Sequence, residues 1–313
     1  MENLTYLVSS RGIMKSCSYF NKNPISSNDA IDHNLIVDLK PFESIYVCTD
    51  ALFNFSNIFL SSITVPFILV TGDSDMPINS ELLNHSVIIK LLESNFLIKW
   101  YAQNLDTRHH KLECIPIGLD YHTMRNANNG WGLSSQSPIA QERALLDILA
   151  RSKDIKERFF SIYCNWHFQI NRGNRFECFS QIDQSVCFFE KNYMPRLSTW
   201  KRQAEFIFVL SPEGAGIDCH RTWEALALGC IPIIKKSVHS EIYSNLPVLI
   251  VNEWTDVTKD LLIETFLNQI PKKNSFKMLF MDYWRCKINN IKRTALNDFT
   301  ISEFQNYLTS ESS

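Results

Sequence analysis

Between Glu205 and Lys236 the chain reads EFIFVLSPEGAGIDCHRTWEALALGCIPIIKK, and three features of this run could do chemistry. A turn containing Pro212, Gly214 and Gly216 follows an apolar strand; Arg221 falls in the first turn of the helix expected next, and Glu224 one turn deeper. A helix start offers free backbone N–H groups and a partial positive charge, which suit an anion. A cation there opposes the helix dipole, so Arg221 is an odd choice for stability alone. Its fork can hold diphosphate oxygens bidentately. Glu224 can accept hydrogen bonds from vicinal hydroxyls such as those of a ribose. Together they describe a nucleotide diphosphate site. The competing reading is a solvated i,i+3 ladder of Asp218, Arg221 and Glu224 beside glycines that only shape a turn.

The elements that must position these residues form a strand, glycine loop, helix, strand unit. The strand is Phe206–Leu210, the helix Asp218–Leu228 with Gly229 at its C′ position, and the second strand Ile231–Ile234. On that helix Cys219, Trp223, Leu226 and Ala227 share an arc that packs, while Asp218, Arg221 and Glu224 share one expected to face a cleft. In open parallel sheets, ligands bind outside the carboxyl ends of the strands.

Along the whole chain, short β-branched and aromatic runs alternate with amphipathic stretches, the pattern of an α/β protein with parallel sheets. Strands are expected at Thr5–Ser9, Ser44–Cys48, Phe67–Val70 and Leu112–Ile117, with helices near Asp50–Leu60 and Asn95–Asn104. The stretch Arg125–Pro138, rich in Asn, Gly and Ser, reads as a long surface loop. A helix at Ile139–Arg151 then opens a second strand series: Phe159–Asn165, Val186–Phe189, Glu205–Leu210, Ile231–Ile234 and Pro247–Val251. From Asp256 onward the pattern is mainly helical. Two α/β units in series place a cleft between them.

Composition narrows the function. The 313 residues are 45% hydrophobic and 20% charged, and 31 basic against 33 acidic side chains leave a net charge of −2, so a broad basic surface for nucleic acid is not expected. No apolar stretch approaches the eighteen or so residues that span a bilayer, and Glu2 with Ser9, Ser10 and Arg11 interrupts any signal peptide. The nine cysteines are odd in number and without a C-x-x-C pair, which reads as reduced thiols in a cytoplasmic protein.

The run SPEGAGIDCHRTWEALALGCIPII resembles the nucleotide-sugar segment of exostosin-type glycosyltransferases. There a proline/glycine loop precedes Asp-Cys-x-Arg-x-Trp-Glu-Ala-Leu and Gly-x-Ile-Pro-Ile, matched here by Asp218, Cys219, Arg221, Trp223, Glu224, Ala225, Leu226, Gly229, Ile231, Pro232 and Ile233. Leu246-Pro247 and Trp254 extend the likeness; Trp100–Asn104 and Ile115–Gly118 match more loosely. The resemblance implies a GT-B-like α/β fold, two Rossmann-like domains facing across a cleft, and sugar transfer from a nucleotide sugar to a glycan or glycoprotein. Residues 1–138 would form the acceptor domain, 139–285 the donor domain, and 286–313 a helical segment that could pack back on the first. Ser211, Gly214, Gly216, Asp218, Arg221 and Glu224 would bind the donor, for which a UDP-sugar is expected, with no obligatory cofactor or metal. Arg221 would stabilise charge on the leaving diphosphate.

Thr71–Asp75, TGDSD, follows a strand and supplies a rival. An Asp-x-Asp in that place is how metal-dependent GT-A enzymes hold a divalent ion, using here Asp73 and Asp75. In a GT-B-like protein either aspartate could instead deprotonate an acceptor hydroxyl. A further alternative is a catalytically silent scaffold that binds nucleotide or glycan. Ser9–Gly12 could contact acceptor or phosphate, and Lys235 or Lys236 could add a phosphate cation, whereas His109 and His110 lack metal-pair spacing, and His220 and His239, the histidines nearest the donor motif, read as satisfied or exposed side chains.

Overall fold

The computed structural model describes residues 2–123, 135–166, 171–290 and 298–311. Most of the loop expected at Arg125–Pro138 lies outside the described residues. In the first half β1 (Glu43–Cys48), β2 (Phe67–Gly72), β3 (Leu97–Ala102) and β4 (Leu112–Cys114) pair in parallel, in sequence order. Ile45, Val47, Phe67, Leu69 and Trp100 enter one core, and Tyr46, Val70 and Tyr101 a second. With both faces covered, these strands read as nearly continuous apolar runs. Helix α1 (Ser10–Met14) packs into the second core; α2 (Leu52–Phe59), α3 (Ser80–Leu83) and α4 (Ser86–Glu93) pack into the first.

The second half carries β5 (Phe159–Cys164), β6 (Cys187–Phe189), β7 (Phe206–Leu210), β8 (Ile231–Lys235) and β9 (Leu249–Val251), all parallel in the order β6-β5-β7-β8-β9. Strand β7 is central and buried at every position. Around the sheet lie α5 (Pro138–Arg151), α6 (Arg175–Gln181), α7 (Arg196–Gln203), α8 (His220–Ala227) and α9 (Lys259–Gln269). Then α10 (Met281–Ile288) crosses to α1 in the first half, and α11 (Ile301–Glu311) runs against α5.

Two expected elements differ. Thr5–Ser9 joins neither sheet, because the Tyr6 and Leu7 N–H groups donate to the Glu142 carboxylate at 3.0 and 2.7 Å and Ser9 caps α1. Only isolated bridges, Leu7 to Phe280 and Ser9 to Gly118, remain. The helix expected at Asn95–Asn104 is instead β3. Trp100 and Tyr101 suit a pleated surface, and the Trp100 indole donates to Thr71 Oγ1 on β2 at 2.9 Å, a bond that needs neighbouring strands.

The carboxyl edges of the two sheets meet. Asn104, just past β3, accepts the Asp218 N–H on Oδ1 at 2.9 Å, and the Ile117 N–H, past β4, donates to Asp218 Oδ2 at 2.7 Å. His220 Nδ1 lies 2.7 Å from the Gly118 carbonyl. The α/β architecture of two parallel sheets facing across a cleft is therefore present. No helix among the described residues is long and apolar enough to cross a membrane. All nine cysteines are free, with Cys17, Cys164, Cys178 and Cys230 buried.

Candidate active site

A cavity of about 650 Å³ opens where the carboxyl edges meet, and both halves line it: Asp75, Ile117 and Asp120 from the first, Asn165, Arg172, Arg175, Arg196, Gly214, Gly216, Arg221 and Glu224 from the second. A larger cavity of about 850 Å³ reaches Phe159 and Glu205, at the amino ends of β5 and β7. Ligands of open parallel sheets bind at the carboxyl ends, so the smaller cavity is the candidate site.

The glycine loop is built to be approached closely. A Cβ on Gly216 would lie 2.9 Å from the Asn104 amide, which is already committed to the Asp218 N–H and the Ser74 carbonyl. From the other side, Gly173 fits beneath the loop at φ +55°, where a Cβ would meet the Gly214 carbonyl oxygen at 2.3 Å. The loop is thus wedged between the two halves.

Helix α8 starts beyond this loop with Cys219 as its N-cap residue. Arg221 reaches the cavity with its Nε donating to the Asn165 carbonyl at 3.3 Å and a terminal nitrogen to the Pro212 carbonyl at 3.2 Å. Arg175, the first residue of α6, donates to the Trp166 carbonyl at 3.3 Å. Burial and the neighbouring Arg221 push the Arg175 guanidinium down to about 10. Two guanidinium groups beside one cavity are what a multiply charged anion would pair with.

The other expected donor residues differ in their placement. Glu224 faces the cavity, and its Oε1 accepts Arg196 Nε at 3.2 Å. Asp218 is a brace. Its carboxylate is buried and accepts the Trp223 indole at 2.8 Å, the Tyr243 hydroxyl at 2.6 Å and the Ile117 N–H, with His239 Nε2 at 3.6 Å. Burial alone would raise that carboxyl; His239, Tyr243 and the Ile117 N–H hold it below the usual carboxylate range. Ser211 turns back onto the helix, its hydroxyl 2.7 Å from that of Thr222.

No family model matches the chain, and no curated protein matches it. Solved structures that resemble it include an α1,3-fucosyltransferase with GDP-fucose, 12% identical over 96% of this chain and 95% of that one, with a TM-score of 0.35. A UDP-forming α,α-trehalose-phosphate synthase from Burkholderia vietnamiensis is 11% identical over 88% and 73%, with a TM-score of 0.37. These likenesses are of fold, and what the site can do is read from its own residues.

Asp73 and Asp75 separate. Asp75 is exposed on the cavity, whereas Asp73 is buried, with Oδ1 accepting the Ser26 hydroxyl at 2.7 Å and Oδ2 accepting Arg11 Nε at 3.3 Å. The Ser9–Gly12 stretch, expected as a loop, is the capped first turn of α1, and Arg11 in that turn pairs with Asp73. Lys235 pairs with Glu177 and Glu253.

Sequence reasoning missed Arg172, Arg175, Arg196, Asp120 and His122. The signal for the first two was present: Arg172-Gly173-Asn174-Arg175 sits between a strand and a helix, a second glycine turn at a sheet's carboxyl edge. Asp120 and His122 stand two residues apart, but nothing in the sequence marks the pair, because Asp73, the group on the other ring nitrogen, comes from a distant segment. His122 Nδ1 lies 3.1 Å from Asp120 Oδ1, and its Nε2 lies 3.9 Å from Asp73 Oδ1.

Proposed function

We propose that this chain is an exostosin-like glycosyltransferase that moves a sugar from a nucleoside diphosphate sugar to a hydroxyl of a glycan or glycoprotein. The carrying observation is that Arg221 and Arg175 converge on one cavity beside the glycine loop and the start of α8. The diphosphate lies against these two cations and the α8 N–H groups, and Glu224 takes the ribose hydroxyls. As the bond from diphosphate to sugar breaks, negative charge grows on the leaving phosphate, and fixed guanidinium donors stabilise it without reorganisation. Residues 1–138 present the acceptor, 139–285 hold the donor, and 286–313 strap the two together. In this reading a UDP-sugar is the donor and no divalent metal is required.

The test is thermal unfolding with UDP, GDP, CDP or ADP, each with manganese and with a chelator. Ligand at a hundred times its Kd adds about 2.7 kcal/mol. One nucleoside diphosphate should stabilise the protein equally in both conditions, and its sugar should be turned over. Stabilisation by none of them rejects the donor site, and activity that a chelator abolishes rejects the metal-independent reading.

A further inference from the structure

Beside the donor cavity, in the first half, lies a second one of about 250 Å³, lined by Lys22, Asn23, Asn28, Asp32, Tyr46 and Asp73. His122 is flanked by one lining residue of each. Asp120, on its Nδ1 side, lines the donor cavity, and Asp73, on its Nε2 side, lines the second. The His122 side chain is 18% exposed, so it is held in place yet reachable.

Proton positions follow from the partners. Ionised Asp120 can only accept, so the ring proton sits on Nδ1 and Nε2 carries the lone pair. Asp120 is fixed in turn by the Thr123 N–H at 3.0 Å. The hydroxyl nearest Nε2, that of Ser26 at 3.5 Å, is already spent on Asp73 Oδ1 at 2.7 Å. A carboxylate on one ring nitrogen and an acceptor lone pair on the other, in a side chain that solvent still reaches, form a base with its orienting group.

Building on the transfer reading above, we propose that His122 is the general base that takes the proton from the acceptor hydroxyl, with Asp120 setting its tautomer. The acceptor O–H bond breaks and its proton goes to His122 Nε2. The acceptor oxygen forms a bond to the anomeric carbon, and the bond from that carbon to the donor phosphate breaks with its electron pair leaving on the nucleoside diphosphate. The acceptor approaches from the side of the second cavity and is a hydroxyl-rich molecule suited to that amide, phenol and charged lining.

The charged groups facing the ring agree with this role. Burial pushes the His122 imidazolium down, Asp120 and Asp73 pull it up, and Arg11 and His220 push it down again. It ends below its ordinary value, so the neutral form prevails at neutral pH. Activity should therefore rise with pH along a limb set by His122.

The test compares wild type with His122→Gln and Asp120→Asn. It follows release of nucleoside diphosphate from UDP-glucose, UDP-N-acetylglucosamine and GDP-fucose, with a panel of mono- and disaccharides, between about pH 5 and 9. Thermal stabilisation by the free nucleoside diphosphate is read in parallel. H122Q should keep that stabilisation, lose at least about 100-fold in kcat and lose the acid limb. D120N, deprived of the anion that favours the imidazolium, should move the limb to lower pH. H122Q that stays within about threefold of wild type overturns the inference while leaving the transfer reading intact. Should H122Q fail to fold, D120N decides, and a limb that does not move overturns the inference. Wild-type protein that binds no nucleotide, or transfers no sugar, overturns the transfer reading itself.

Discussion

Asp218 and Arg221 stand three positions apart at the start of one helix and do opposite work. Arg221 spends its hydrogen bonds on the Asn165 and Pro212 carbonyls, which aim it without cancelling its charge. Arg221→Ala should lower kcat/KM by about 100- to 1,000-fold, the usual effect of losing one donor to developing oxyanion charge. Steady-state rates at saturating acceptor check this, and a loss below about threefold removes Arg221 from the chemistry. Asp218 is instead part of the structure. Asp218→Asn puts an amide where an acceptor meets the Ile117 N–H and leaves His239 without its anion, at a cost of about 3 kcal/mol. The folded-state carboxyl is depressed, so its contribution is complete above the unfolded value near 4 and is lost as pH falls through the lower folded value. Urea midpoints at about pH 7 and about pH 3 should thus separate wild type from D218N widely at the first pH and narrowly at the second. An equal gap at both would refute the brace.

At the scale of elements, what could be read from sequence was what lies contiguous in it. Strand β7, the glycine loop, α8 and β8 follow one another, and each carries its own signal: an apolar run, a turn, an amphipathic arc and a C′ glycine. Strand β3 misled because six residues of LIKWYA fit either period, and only pairing with β2 and β4 decides between them. Asp73, just past β2, meets the Asp120 and His122 pair beyond β4, a proximity that topology creates and spacing does not record. The Gly173 turn was legible but lacked meaning until the fold set it under Gly214. It yields a prediction. Gly173→Ala would force a left-handed alanine and drive its Cβ into the Gly214 carbonyl, so the glycine loop must shift away from Arg175. Nucleoside diphosphate affinity, measured calorimetrically, should fall at least about tenfold, or roughly 1.4 kcal/mol. Unchanged affinity would mean that the two turns are not interlocked around the ligand.

For the whole molecule, the site exists only while the two sheets hold their relative position, because neither half closes the cavity alone. Direct bonds between the halves include Asp218 to Ile117, Asn104 to Asp218, Arg196 to the Asp120 carbonyl, His220 to the Gly118 carbonyl and Glu142 to the Tyr6 and Leu7 N–H groups. The chain's end adds an apolar contribution. Helix α10 packs on α1, Asn289 bonds Ser44 and Ser16, and α11 buries Ile301, Phe304 and Leu308. The Phe304 ring stacks on Phe276 with centroids 3.8 Å apart and meets Phe280 edge-on, while Tyr307 joins Tyr6 through their hydroxyls at 2.6 Å. Phe304→Ala would open a cavity among these rings and cost about 3–5 kcal/mol, a large share of the roughly 5–15 kcal/mol that holds a typical domain. Phe304 is not among the described residues that line the donor cavity, so well below the unfolding midpoint kcat/KM should stay within about twofold of wild type. Urea denaturation and steady-state kinetics on the same preparation check both halves of the expectation. A stability loss under about 1 kcal/mol would show that α11 is not docked as described. A large kinetic loss at full folding would instead show that the strap sets the geometry of the cleft as well as its strength.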